Sequence, residues 1–357
     1  MFEAMVTLCL AAAGGNAPGT AADAGPCRVM LLPGHGAPDR AGCAATLAAR
    51  PPAILTDLPA GTPAPFCAPR PAATLDFAEV APGVHVHRGE VAEPDPDNRG
   101  DVANIGFVIG DDGVAVIDAG GSRALGEAVY LAVRAVTDKP VTHLILTHMH
   151  PDHVLGAEPL REAGAEVIGH AGLGRALAER ADSYLAGFAA GIGQPGFAGS
   201  RIIGPDREVA GAETIDLGGR ILDLVPRATA HSPNDLTVFD RASATLFAGD
   251  LVFDDHAPAL DGSLRGWQAV LAAMRAEAAS RVVPGHGGPV LPWPEGAAAL
   301  LRYLDVLSAD TRAALDAGLP LSAATDVIGQ DEAANWRLFG LFNARNATVA
   351  YTEMEWD

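Results

Sequence analysis

The 357-residue chain has no apolar run of the about 18 to 20 residues that a membrane-spanning helix needs, which sets aside an integral helical membrane protein. It is also short of positive charge. Its 24 basic residues face 44 acidic ones, for a net charge of −20. Such a surface repels a phosphate backbone, so nucleic acid is not an expected partner. Only four cysteines occur, and none shows the C-x-x-C spacing of a metal clip. No short-period repeat marks a solenoid. What is present is 49% hydrophobic and 19% charged residues, a globular composition able to bury a sizeable core. The length, about twice the ~150 residues of an ordinary domain, fits one large α/β unit with appendages or two smaller units.

Residues 5–13 (MVTLCLAAA) form an apolar run of the length found in secretory signals. Ala22-Asp23-Ala24 offers a small-residue cleavage site before Gly25, although Glu3 stands where such signals carry basic residues. The run reads as an imperfect export signal over residues 1–24. It implies a periplasmic or secreted protein, with an ordinary cytoplasmic amino terminus as the alternative. Leu8 before Cys9 is too large for a lipoprotein signal. Cleavage would remove Cys9 and leave Cys27, Cys43 and Cys67, an odd set that allows one disulfide and one free thiol without choosing the pair. In a reducing compartment all three would stay unpaired.

Residues 25–75 are rich in Pro, Ala and Gly and read as an irregular, Cys-bearing extension. Past Leu75 the pattern changes. Val84 and Val86 alternate with His85 and His87, as in a half-buried strand whose histidines face solvent. Short apolar runs at 105–109 and 114–117 are joined by Asp111-Asp112-Gly113, a hairpin signal. Helical spacing covers 123–136, and a buried-type strand covers 144–146. A helix after His153, a strand at 166–168 and a helix at 173–190 follow. Further strands are predicted at 214–217, 220–225, 236–239 and 245–248, then a helix at 264–278 and a strand at 281–283. Two strand-rich stretches, each with helices, predict an α/β protein with two sheets packed face to face and covered by helices outside. Residues 76–295 would form this body, and 296–357 a helical segment packed on it.

The strongest chemical signal is Thr147-His148-Met149-His150-Pro151-Asp152-His153, directly after a buried strand. Imidazole suits zinc, and a carboxylate adds negative charge. His148 and His150, two residues apart, share one side of an extended segment, while Asp152 and His153 curve round to a second point. The cluster is thereby divided between two metals. With only eleven histidines in the chain, such crowding is not expected of a solvated loop. Two coordination shells need more donors, and three candidates end predicted strands: His231 in Thr229–Asp235, Asp250 in Phe247–Asp250 and His286 in Val283–Gly287. Singly each is a weak signal, since a histidine or aspartate after a strand is commonly a loop residue.

In this order, behind His-x-His-x-Asp-His, the five segments resemble the metallo-β-lactamase superfamily over about residues 78–295. The resemblance implies a four-layer αββα sandwich with the active site along one edge of its sheets. It implies His148, His150 and His231 on one metal, Asp152, His153 and His286 on a second, and Asp250 bridging them. A second Pro-Gly-His-Gly at residues 33–36 precedes the body, so His35 is not expected to be a ligand. Drug-hydrolysing relatives usually carry Cys or Ser near the position of Asp250, so this aspartate points away from true β-lactamase activity. RNA-processing relatives share the aspartate, but the −20 charge argues against them. Residues 98–107, 116–122 and the stretch Arg345-Asn346 to Glu355-Trp356 further resemble an exported subgroup, the quinoprotein relay system zinc metallohydrolases. That resemblance implies a link to periplasmic quinoprotein dehydrogenases and leaves the substrate open.

By this resemblance two zinc ions share a water whose pKa falls toward ~7, and the resulting hydroxide attacks an acyl carbon of an ester, thioester or lactone. Asp250 and Asp152 carry the catalytic roles, one spanning the ions and one orienting the nucleophile. Asp118 and Asp235 are candidates for fixing imidazole orientation. His170 and His256 are candidate substrate contacts, with ordinary surface or packing roles as the alternative. His143 either supports the motif or is simply buried. Two other readings stay open: a mononuclear iron oxidoreductase like the persulfide dioxygenases, and a non-catalytic accessory protein of a quinoprotein system. Flavo-diiron reductases would need a flavin domain for which there is no room.

Overall fold

The computed structural model describes residues 1–11 and 24–356. The strands are β1 (Phe2–Ala11), β2 (Ala24–Ala37), β3 (Phe66–Pro69), β4 (Ala78–Ala81), β5 (Val84–His87), β6 (Ile105–Ile109), β7 (Val114–Ile117) and β8 (Val141–Leu146). They continue with β9 (Glu166–His170), β10 (Arg207–Val209), β11 (Glu213–Asp216), β12 (Ile221–Pro226), β13 (Leu236–Asp240), β14 (Thr245–Phe253), β15 (Arg281–His286) and β16 (Leu291–Pro292). A seven-stranded sheet has the order β10-β9-β8-β7-β6-β5-β4, and a six-stranded sheet the order β11-β12-β13-β14-β15-β16. Val86, Val108, Ile117, Ile145, Leu224, Val238, Phe247 and Val283 belong to the apolar cluster held between them.

Helices cover the outer faces. Arg123–Val136 and Leu173–Ile192 lie on the seven-stranded sheet, their Leu125, Val129, Val133 and Leu177 packing on Phe107, Val116 and Leu144. Ser122 starts the first of these by accepting a hydrogen bond from the amide of Leu125. On the other side, Leu264–Met274 and Ala298–Asp316 bury Trp267, Leu271, Tyr303 and Leu307 against Leu246, Val252 and Val282. The result is a four-layer αββα sandwich. The carboxy-terminal region is helical, as its pattern predicts, and ends in Phe339–Met354. Among the described residues no helix is long and apolar enough to cross a membrane.

The amino-terminal region departs from its sequence reading. The run read as part of an export signal is β1, the middle strand of a three-stranded antiparallel sheet of order β2-β1-β3. Ala4, Val6 and Leu8 are buried in that region's own cluster, while Met5 and Leu31 join the apolar layer of the seven-stranded sheet. A strand covered on both faces reads as a continuous apolar run, and that is also how a secretory signal reads. Glu3, where a signal would be basic, is fully buried against Arg70 at 2.8 Å and takes a hydrogen bond from Tyr130. Residues 22–23 of the expected cleavage site lie outside the described residues.

The expected single bridge plus free thiol is likewise corrected. Cys9 pairs with Cys27 across the β1–β2 ladder, and Cys43 pairs with Cys67. Among the described residues no cysteine is free. Nor is the extension irregular: beside β2 it contains the helix Arg40–Ala49, whose first turn is capped by Asp39. Arg123, without solvent exposure, ties this region to the sandwich. Its guanidinium contacts Glu127 at 3.0 Å, Glu158 at 2.7 Å, Glu162 at 2.6 Å and the Leu31 carbonyl at 3.0 Å.

Candidate metal centre

The site forms where strand ends of both sheets meet. β8 is packed into the seven-stranded sheet with Leu144, Ile145 and Leu146 fully buried, and the chain leaves it at Thr147. His150 precedes Pro151 and is held extended, with φ −65° and ψ 144°. Pro151 then opens the short helix Pro151–Val154, because proline is well suited to the first helical position. This change from extended to helical backbone separates the directions of His148 and His150 from those of Asp152 and His153.

Two sets of donors result. His148 Nε2 and His231 Nε2 lie 3.0 and 2.9 Å from His150 Nδ1, and Asp250 completes this set. Asp152, His153 and His286 make up the other. Asp250 faces both: Oδ1 is 3.1 Å from His153 Nε2, and Oδ2 is 3.4 Å from His231 Nε2, 3.4 Å from His286 Nε2 and 3.6 Å from His148 Nε2. Asp152 Oδ2 is 3.3 Å from His286 Nε2 and 3.7 Å from His153 Nε2. All seven side chains proposed from the sequence are therefore brought together, and all are buried or half-buried.

Whether these groups suit divalent metal is tested by their unmet valences. His153 Nε2 and Asp250 Oδ1 are buried without a hydrogen-bond partner, a state most buried polar atoms of folded proteins avoid. The donor set is nitrogen and oxygen only, as zinc and iron accept. His148 Nε2 and His231 Nε2, each about 3 Å from His150 Nδ1, have lone pairs that a cation satisfies better than shared protons do. The residues fit bound divalent metal.

The electrostatics agree. Burial holds His148 far below its ordinary value and pushes His231 down to about 3, so both are neutral and ligand-ready. Burial alone would lower His153 and His286 as well. Asp250 overrides it, with Asp118 and Asp152 raising His153 well above the usual range and Asp152 helping carry His286 up to about 10. The carboxylates of Asp250 and Asp152 respond in kind. Their burial opposes ionisation, yet the surrounding imidazoles hold both far below the usual carboxylate range. The pocket demands positive charge.

Outer contacts fix the donor atoms. Asp118, at the end of β7 with φ +62°, accepts from the Thr147 amide and hydroxyl at 2.8 Å each and contacts His153 Nδ1 at 2.8 Å. The Ala259 carbonyl holds His231 Nδ1 at 2.6 Å, and the Val102 carbonyl holds His286 Nδ1 at 2.8 Å. Asp235 touches no imidazole. It accepts from the amide and hydroxyl of Ser232 at 2.9 and 2.7 Å and so shapes the turn carrying His231, while burial raises its carboxyl to about 7. Parallel pairing of β14 with β15 sets Gly285 against Asp250, where a Cβ would fall 1.9 Å from Oδ1. Only glycine fits there.

A cavity of about 480 Å³ opens onto both donor sets, and His150, Asp152, Asp250 and His286 form part of its wall. His256 lines it too, with its ring centroid 4.7 Å from that of His286 and Nδ1 bonded to the Ala257 carbonyl. His170 does not line it; its Nδ1 accepts from the Gly172 amide beyond β9. His143 contacts Thr142 and stands apart, and His35 lies in the amino-terminal region. His85 and His87, expected on a solvated face, are both buried. His85 stacks on Phe107 at 4.6 Å, and His87 is covered by Phe77 and bound to Asp101 at 2.8 Å. Sequence reasoning missed Asp261, which sits 3.1 Å from His150 Nε2 and 2.7 Å from Arg180. It also missed Arg180, Tyr184, Phe188, Phe342 and Arg345, which line the cavity from two helices. Arg345 was read only as part of a stretch that carries a resemblance, the others belong to no motif, and helix spacing alone does not reveal which face a distant strand end will meet.

A sequence model of the metallo-beta-lactamase superfamily matches residues 98–286, just over half of the chain. No curated protein matches it significantly. Among solved structures, the chain is similar to a metallo-beta-lactamase from Pontibacter korlensis, with TM-score 0.53 and 21% identity over 65% of this chain and 99% of that one. It is similar to a beta-lactamase domain protein from Burkholderia ambifaria, with TM-score 0.59 and 20% identity over 81% and 90%. A third likeness is to the inverting sec-alkylsulfatase Pisa1 from Pseudomonas sp., with TM-score 0.60 and 16% identity over 78% of this chain and 50% of that one. At such identities the likeness is one of fold. Family match, sandwich and strand-end donors agree: the chain belongs to the metallo-β-lactamase superfamily.

Proposed function

We propose that the protein is a dinuclear zinc hydrolase that cleaves an acyl bond in an ester, thioester or lactone. One observation carries this reading: the carboxylate of Asp250 lies within 3.6 Å of imidazole nitrogens from both donor sets. When bound, the ions would supply Lewis acidity and lower the pKa of a water at neutral pH. His148, His150 and His231 would hold one, and Asp152, His153 and His286 the other, with Asp250 between them. Asp152 stays anionic and accepts a hydrogen bond from the attacking water, which orients it toward the acyl carbon. Asp118 keeps His153 turned so that Nε2 faces the site. Phe188 and Phe342, from the two helices over the cavity, place an apolar wall beside the reacting groups.

A complete second donor set favours two metals over the single iron of a persulfide-dioxygenase-like oxidoreductase. An accessory role beside a quinoprotein dehydrogenase rests on the sequence resemblance alone. Two disulfides favour an oxidising compartment, such as the periplasm, and they support export better than the amino-terminal run does. The test is metal analysis of protein purified without added metal, together with turnover on matched esters, thioesters, lactones, β-lactams and a secondary alkyl sulfate. About two zinc per chain with acyl-bond cleavage is the expected result. One iron per chain and no hydrolysis would overturn the reading.

A further inference from the structure

The cavity wall opposite the metal donors has a chemistry of its own. It carries two guanidinium groups, and they differ. Arg180 is neutralised, with Nη1 at 2.7 Å and Nη2 at 3.1 Å from the Asp261 carboxylate. Arg345 lines the same cavity, is exposed to solvent, and has no ion-pair or hydrogen-bond partner among the described residues. Its backbone is nevertheless firmly placed. The next residue, Asn346, is buried and bonds the Leu260 amide at 2.9 Å, the Pro258 carbonyl at 2.6 Å and the Tyr303 hydroxyl at 2.8 Å. Eight residues on, Glu353 caps the helix Leu264–Met274 by accepting from Ser263 and Leu264. A free cation on a fixed helix, one residue from such an anchor, is a preset recognition point.

Around it the wall is apolar and aromatic: Phe188 from one helix, and Leu341, Phe342 and Val349 from the same helix as Arg345. Glu93 also lines the cavity and makes no ion pair with Arg345. We infer, resting on the hydrolase reading above, that the substrate is an amphipathic acyl compound. Its apolar body packs on Phe188 and Phe342, and an anionic group such as a carboxylate is bound by Arg345. Anion recognition here is local. The chain carries −20 overall, and Arg345 is the guanidinium on this wall that no carboxylate neutralises among the described residues.

The test separates recognition from turnover. The probes are 2-mercapto-3-phenylpropionic acid and its carboxamide, thiols that bind zinc directly, titrated into the zinc-loaded full-length protein by calorimetry. A charge-assisted contact of this kind predicts roughly tenfold or tighter binding of the acid than of the amide. Arg345→Ala should abolish that difference, Arg345→Lys should keep part of it, and Arg345→Glu should reverse it, with zinc content unchanged throughout. Equal binding of acid and amide by the unaltered protein, or a preference that survives Arg345→Ala, overturns the inference. Absence of binding by both probes overturns it too, because the cavity would then not be centred on metal. Loss of the hydrolase reading shows separately, as absent turnover on the ester panel while the binding preference persists.

Discussion

The amino-terminal sheet and the strand ends at the donor cluster are ordered by opposite means. The first has a small apolar cluster of its own and is stapled by Cys9–Cys27 and Cys43–Cys67, with Arg123 buried among three carboxylates beneath it. Covalent bridges compensate for a core too small to hold the region. The second lies over the large inter-sheet core and contains no covalent link, only charges and lone pairs left wanting. The difference separates what keeps the chain folded from what a metal would complete. It also says that each region should be breakable without the other.

The largest expected effect follows from Asp250→Asn. The shape is kept, but the charge that faces four of the five imidazoles is lost. Metal content should fall from about two to about one per chain, and hydrolysis by roughly two orders of magnitude or more, since a bound ion supplies several kcal/mol of charge stabilisation. Elemental analysis and initial rates check this, and unchanged stoichiometry would reduce Asp250 to a turn residue. Both disulfides should survive the change intact.

Replacing Cys9 and Cys27 together by serine should act on the other side of the comparison. The expected loss is about 2–4 kcal/mol of stability, read from denaturant unfolding, with zinc content retained. Zinc loss at the same denaturant concentration as the first loss of structure would show that the two regions are one cooperative unit. His35→Ala, in the amino-terminal Pro-Gly-His-Gly, should likewise leave zinc content untouched.

Asp118→Asn is a smaller perturbation. It keeps the hydrogen bonds to Thr147 in part but weakens the hold on His153 Nδ1. Affinity for the second metal should fall about 10- to 100-fold, measured by competition with a chelator. The first metal should be held as before.

The smallest effect concerns His87 and Asp101, which anchor the loop whose Val102 carbonyl holds His286. Burial would lower His87, but Asp101 overrides it and raises the ring above its ordinary value. A raised histidine stabilises the fold fully below its unfolded pKa of about 6.5, and that contribution is lost as pH rises through the higher folded value. Asp101→Asn should remove this slope, a change of about 1 kcal/mol or less between pH 6 and 8 in thermal or denaturant unfolding. An identical slope in the variant would assign the pH dependence to another group.

The legible parts of the molecule were those where local chemistry and long-range structure coincide. His148 to His153 could be read because one turn of chain delivers four donors, and Pro151 announces the change of direction. The helix at 123–136 was readable because burial on one face leaves a period, and the strand at 144–146 because a short apolar run leads straight into the donor motif. β1 was misread because burial on both faces leaves none, and Cys9 was lost with it. His85 and His87 were misplaced because alternation marks two faces of a strand but does not reveal that Phe77 covers the second. Asp261 carries no local signature at all, and Arg345 stood out only within the stretch that resembles the exported subgroup, not as a cavity residue. Their meaning depends on helices that are distant in sequence from the strand ends they face.

That separation has a consequence for how such a protein changes over generations. Beside the donors, at Gly285, even a methyl group is refused, so that position tolerates no larger residue. The residues that would grip a ligand sit on the helices Leu173–Ile192 and Phe339–Met354, which contribute no donor. Substitutions on those two helices can alter which molecules are admitted while leaving the reactive centre as it was. One scaffold can thereby diversify its clientele by exchanging a few side chains on its cover.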